Sequence, residues 1–207
     1  EYQMRNWFYF VWLCGDHIVE QHVHLLDRAN WLKQAHPIES NGMGGREVRK
    51  GKDHGQIYDH HFVEYTYDDG TKMFSQCRHI PGAWRAGGSY AHGTEGVADT
   101  GGTIIGKNAW EYTGPKVSGH AQEHVDLIDA LRNDLKYNEG WFGATSSMTA
   151  VLGRMATYSG QVVLWDEAVA RGPDEMPEQF AWDANPPVLP DQQGNYPVPV
   201  PGVYKPY

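Results

Sequence analysis

Gln56-Ile-Tyr-Asp-His-His-Phe-Val-Glu-Tyr-Thr-Tyr67, then Asp68-Asp69-Gly70, then Thr71-Lys-Met-Phe-Ser-Gln-Cys-Arg-His-Ile80 is the stretch from which the fold is read. Two alternating runs rich in aromatic and β-branched residues flank an Asp-Gly turn signal, which predicts an antiparallel hairpin. Tyr65 and Tyr67 fall on one face of the first strand, Tyr58 and Phe62 on the other. A face left to water would be more polar. Helices are therefore expected on one side and a second subunit on the other.

Upstream, Gly15 breaks the chain and Asp16 is a good N-cap, so a helix is expected over His17–Lys33, ending before His36-Pro37. Ile38–Arg49 reads as a strand with glycines. Short strands follow at Gly88–His92, Val97–Asp99, Thr103–Ile105 and Ala109–Tyr112. Ala121–Asn133 and Glu139–Ser159 repeat apolar residues at helical spacing, and Val162–Trp165 is a last strand. Nine of the 12 prolines lie beyond Gly172, where an extended surface tail is expected. The order argues one α+β domain over residues 1–171, an open and mostly antiparallel sheet with helices on one face, and a proline-rich tail over 172–207 packed on it.

Composition removes several function classes. The 207 residues carry 26 acids against 17 bases, a formal charge of −9, with no basic run, which argues against nucleic-acid and anionic-membrane partners. The longest apolar run, Trp7–Cys14, is far shorter than the ~20 residues of a membrane helix. Cys14 and Cys77 stand far apart, which excludes a disulfide framework and a zinc knuckle and favours a free buried thiol over a single disulfide. The sequence opens at Glu1 without an initiator methionine and reads as part of a longer product. Sparse cysteine fits cytoplasm, and an upstream export signal would instead mean the periplasm. No strand–GxGxxG–helix unit, phosphate loop or GxSxG elbow occurs.

Chemistry concentrates in Gly15-Asp-His-Ile-Val-Glu-Gln-His-Val-His-Leu-Leu-Asp27. On a continuous helix, Asp16, Glu20, His24 and Asp27 fall within about 80° of one another. Ile18, Leu25, Ala29, Leu32 and His22 fall opposite. A carboxylate one turn before a histidine can fix its tautomer and raise its basicity, as proton transfer requires. A solvated polar face would carry the same residue types. His22 reads as a hydrogen-bonded core histidine. A metal held by Glu20, His22 and His24 is not expected, because histidines two apart diverge by about 200°. His60-His61 and His79 face each other across the hairpin, where sheet or interface packing explains them and substrate contact is the alternative. Arg78, His79 and His92 are candidate substrate contacts, while capping or surface roles suffice for His124 and Asp126.

These residues resemble the C-terminal domain of the Gfo/Idh/MocA oxidoreductases, which include glucose–fructose oxidoreductase and inositol dehydrogenase. The resemblance spans nearly the whole chain through Arg5-Asn-Trp, the Gly15–Asp27 stretch, Gly42-Met-Gly-Gly-Arg-Glu-Val-Arg, Phe74-Ser-Gln-Cys-Arg-His-Ile-Pro-Gly, Ala91-His-Gly-Thr-Glu-Gly and Leu152-Gly-Arg-Met-Ala-Thr-Tyr-Ser-Gly. It implies an N-terminal Rossmann domain holding NAD or NADP, with a sugar or polyol between the two domains. It implies His24 as acid/base, Glu20 as its orienting carboxylate where inositol dehydrogenase-like members carry Asp, and Asp27 as a substrate-hydroxyl contact. Asp16 joins them as a substrate contact on the same face. The family's catalytic lysine, in an E-K-P motif, and its glycine fingerprint belong to the Rossmann half and do not occur here. The resemblance therefore implies the substrate-binding and oligomerisation half of an NAD(P)-dependent oxidoreductase, homo-oligomeric through its sheet and inactive as an isolated chain. A stand-alone carbohydrate-binding or assembly module and an NAD-dependent glycoside hydrolase are the alternatives.

Overall fold

The computed structural model describes residues 1–207. In chain order the elements are α1 (Tyr2–Arg5), α2 (Val11–Cys14), α3 (His17–Glu20), α4 (Val23–Lys33), β1 (Glu39–Gly45), β2 (His60–Thr66) and β3 (Lys72–Arg78). Then come β4 (Tyr90–Gly93), β5 (Gly96–Asp99), β6 (Thr103–Gly106), β7 (Trp110–Glu111), α5 (Gly119–Arg132), α6 (Gly140–Ser159), β8 (Val163–Leu164) and α7 (Trp165–Arg171). The fold is α+β with two four-stranded antiparallel sheets, ordered β3-β2-β1-β8 and β4-β5-β6-β7. The chain divides into two compact units, one of Glu1–Arg85 with Thr145–Tyr207 and one of Ala86–Ala144.

The first unit is built on the expected hairpin. Tyr67 and Thr71 close the turn, with Gly70 in the left-handed region at φ +81° that its Asp-Asp-Gly sequence calls for. Register sets Ser40 opposite Tyr65 and Gly44 opposite His61, while β3 brings Ser75 opposite Val63 and Cys77 opposite His61. These residues form the inner face. The C-terminal half of α6 lies on it and is buried nearly all round from Leu152 to Ser159. Ser40 Oγ donates to the Leu152 carbonyl at 3.2 Å. Two glycines permit this close approach. A Cβ on Gly44 would sit 3.3 Å from Thr157 Cβ on α6, and one on Gly153 would overlap the Tyr65 hydroxyl. Ile18, Leu26, Val63, Leu152 and Met155 fill the space between, each contributing about 1.5–3 kcal/mol by burial.

Three expectations need correction. The helix over His17–Lys33 is broken at Gln21–His22, where the His22 N–H bonds the His17 carbonyl five residues back. Its buried side is consequently Ile18, Leu26 and Asn30, while Leu32 is exposed. Tyr58 does not share a face with Phe62. It is buried beside His61 and Tyr158, because Ile57, Tyr58 and Asp59 all turn inward before the strand begins. In α5, Val125, Leu127, Ile128 and Leu131 are all exposed, and only Ala130 is buried.

Residues beyond Gly172 form no helix or strand, and they follow the first unit through specific bonds. Tyr58 Oη donates to the Pro199 carbonyl (2.9 Å), Gln3 Nε2 to the Val188 carbonyl (2.7 Å) and the Gly202 N–H to the Ser159 carbonyl (2.7 Å). In the second unit, β4 to β7 make a simple meander.

The Tyr65 hydroxyl is sealed from water and has no hydrogen-bond partner. Tyr65→Phe should therefore leave stability unchanged or raise it. Gly153→Ala should cost about 1–3 kcal/mol through overpacking. Urea unfolding of the double variant should recover part of that loss, because the clash is with the hydroxyl itself.

Candidate functional site

The site begins with two consecutive residues at positive φ. Gly15 (φ +73°) leads into Asp16 at φ +78°, ψ 160°, a conformation that glycine tolerates and other residues occupy at a cost of about 1–3 kcal/mol. The Asp16 carboxylate, fully buried, holds it there. Oδ2 accepts from the Tyr58 N–H at 2.9 Å and from Tyr158 Oη at 2.6 Å. Oδ1 accepts from the His17 N–H at 2.5 Å and lies 2.9 Å from His17 Nδ1 and 3.3 Å from His61 Nε2. Burial alone would push this carboxyl up, but the neighbouring His61 charge and the bonds from His17 and His61 hold it well below the carboxylate range.

A second layer continues from His17, whose ring stacks on His79 at 4.6 Å. Arg49 Nη2 donates to His79 Nδ1 (2.7 Å), Nη1 donates to the Tyr58 carbonyl (2.7 Å), and the guanidinium lies 5.2 Å over the Phe8 ring. The loop carrying Arg49 is fixed by Asp59, whose Oδ2 accepts the N–H groups of Glu47, Val48 and Arg49. Beside the helix break, His22 Nε2 bonds Ser75 Oγ at 2.7 Å. Burial, then the His17 and His61 charges, push the His22 imidazole down to about 4, consistent with a core histidine.

The residues singled out from sequence are distributed unevenly over this frame. Asp16 does not stand on a face with Glu20, His24 and Asp27, since it precedes α3 and faces the interior. Glu20 closes α3 and His24 lies in the first turn of α4, so the break intervenes, and no hydrogen bond joins them. His24 is exposed, while Glu20 Oε2 is buried without a donor. Asp27 accepts from Ser146 Oγ at 2.6 Å, which ties α4 to α6. Arg78 and His79, adjacent in sequence, part company. Arg78 follows the outer face and donates to the Trp84 carbonyl, whereas His79 turns towards Arg49 and His17. His60 pairs with Arg78 and His61 with Cys77, so His79 lies beyond the pairing. His92 lies on β4 of the second unit. Sequence reasoning missed His17, Arg49 and Tyr158 altogether. Only the register of β1, β2 and β3 brings Arg49 to His79, and no local spacing signals it.

Asp16, His17 and His61 place three ligand-type atoms within 4.8 Å of one another. Donors of the chain already occupy both Asp16 oxygens, and the Arg49 guanidinium stands 3.5 Å from His17 Nδ1, a poor setting for a cation. Every strand pair is antiparallel, so the chain contains no parallel β-α-β unit of the dinucleotide-binding type. No helix is long and apolar enough to cross a membrane.

The sequence matches no protein-family model and no curated protein. The fold is that of solved Gfo/Idh/MocA-type oxidoreductases. Aldose-aldose oxidoreductase from Caulobacter crescentus, solved with glycerol, superposes with TM-score 0.62 at 12% identity over 76% of this chain and 50% of its own. UDP-N-acetylglucosamine 3-dehydrogenase from Acidithiobacillus ferrooxidans gives 0.57 at 18% identity over 68% and 46%. WlbA dehydrogenase from Bordetella pertussis, solved with NADH and UDP-GlcNAcA, gives 0.54 at 15% identity over 72% and 44%. The chain thus spans about half the length of the structures it matches.

His22 generates a pH prediction. Its folded pKa near 4 lies below the unfolded value of about 6.5, so stability is full above that value and falls with pH between the two, by up to about 1.4 kcal/mol per pH unit. Asp16 acts lower, where its contribution is lost as pH falls below the unfolded carboxylate value of 3.8. Urea unfolding at pH 7, 6 and 5 should show a shallower decline for His22→Gln than for the unaltered chain.

Proposed function

We propose that this chain is the substrate side of a nicotinamide-dependent oxidoreductase acting on a secondary hydroxyl of a sugar, polyol or glycoside. The observation that supports this most is the likeness to sugar dehydrogenase folds over about half of their length. The nicotinamide, NAD or NADP, is held mainly by a Rossmann domain outside this chain, so the chain by itself is inactive.

His24, exposed and free of competing bonds, takes the hydroxyl proton. Glu20 lies at the end of the preceding helical turn, and its donor-less Oε2 is suited to receive a substrate hydroxyl or the imidazole once substrate is present. Asp27, steadied through one oxygen by Ser146, contacts a neighbouring hydroxyl with the other. Asp16 supports this segment from the interior.

The outer face of the first sheet is proposed as the oligomer interface, with a second copy as its occupant. Met43, Phe62 and Phe74 are exposed there, beside the Glu64–Lys72 ion pair at 2.9 Å. A face holding apolar groups and both charge signs can complement itself about a two-fold axis.

In the protein that joins this chain to its nucleotide-binding domain, His24→Ala should lower turnover by about 10²–10⁴ with an unchanged circular dichroism spectrum. Undiminished turnover removes His24 as the base. By sedimentation, Phe74→Lys should shift the oligomer to monomer, and an unaltered mass would place the interface elsewhere.

A further inference from the structure

We propose that Arg49 and His79 form a clasp for an anionic group, a carboxylate or a phosphate, on the sugar. The proposal rests on the sugar-oxidoreductase reading for the rest of the ligand, and it narrows the substrate class from neutral to acidic or phosphorylated sugars.

Arg49 is only 7% exposed, yet its guanidinium hydrogen-bonds no carboxylate. The two acids nearest in the network are committed elsewhere. Asp16 is filled by Tyr58, Tyr158 and His17, and Asp59 is filled by three backbone N–H groups and by His60 Nδ1 at 2.8 Å. A guanidinium with no carboxylate hydrogen-bonded to it keeps donor capacity that an external anion can take up. Arg49 Nε has no partner in the chain and is not sealed from solvent.

His79 supplies the second donor. Because Arg49 donates to Nδ1, the neutral ring carries its proton on Nε2, and this side chain is exposed. The ring is held in a stack between Phe8 (6.0 Å) and His17 (4.6 Å), so the donor is fixed in direction. Burial, then the charges of His17 and Arg49 and, more weakly, Arg85, push this imidazole down to about 4 despite the opposing pull of Asp16, so the ring is neutral near pH 7. A planar guanidinium with an adjacent fixed N–H matches the oxygens of a carboxylate or phosphate. Through His17, the clasp reaches the short helix that ends at Glu20.

Calorimetric titration of the protein that joins this chain to its nucleotide-binding domain, without nicotinamide, tests this with D-glucuronate, D-glucose 6-phosphate and D-glucose. One of the two anions should bind, which decides between carboxylate and phosphate, and its affinity should fall as salt is raised, while glucose should bind at least tenfold more weakly. His79→Gln, at an exposed position, and Arg49→Lys should each weaken the anion at least tenfold with unchanged circular dichroism. Equal affinity for glucose, no anion binding at 20 mM, or unchanged affinity in His79→Gln overturns the clasp. Because no turnover is measured, these outcomes are independent of the test of His24.

Discussion

The buried carboxylate of Asp16 is the constraint to which the rest of the first unit is fitted. A fully buried negative charge is tolerated only when donors surround it, and here they come from three separate elements. The Tyr58 N–H comes from the approach to β2, the Tyr158 hydroxyl from α6, and the N–H and ring of His17 from α3. One side chain therefore fixes the angle between helix and sheet and the point at which the helical segment starts. The unfavourable backbone of Asp16 is the local cost of aiming its carboxylate inward while the chain turns outward towards Glu20.

Around that charge, histidines do work that lysines could not. His17, His22, His61 and His79 lie near one another, and four permanent cations in that space would repel. Imidazoles can be neutral and still donate one proton and accept another, so each can serve as a link in a chain of bonds. His22 is the clearest case. It bonds Ser75 on β3 from the break in the helix, so the step between α3 and α4 is pinned to the sheet. That step gives Glu20 and His24 independent orientations.

Much of the architecture could be read from local signals, because those signals are local in origin. Alternation over Gln56–Tyr67, the Asp-Asp-Gly turn and the apolar spacing of Glu139–Ser159 each act within a few residues, and strands and helices appear where they point. The errors arose where a distant partner overrode the local pattern. The break at Gln21–His22 depends on Ser75, and the inward turn of Tyr58 depends on Asp16 and on the loop gathered by Asp59. The pairing of Arg49 with His79 depends on strand register. A helical wheel assumes an unbroken helix, so it placed Asp16 on the wrong side and Leu32 in the core. His24, Glu20 and Asp27 can be proposed from sequence because they are close together along the chain, whereas the Arg49–His79 pair cannot, because its partners are far apart in sequence.

The first unit is discontinuous in sequence, with Ala86–Ala144 set between β3 and the half of α6 that covers the sheet. This ordering has a consequence for synthesis. When β3 leaves the ribosome, the inner face of the hairpin has no cover, and Asp16 lacks the Tyr158 hydroxyl. At roughly 5–20 residues per second, the missing segment arrives on the order of ten seconds later. During that interval the aromatic strands stand open to misassociation, so the nascent chain is a natural client for chaperones that shield exposed sheet.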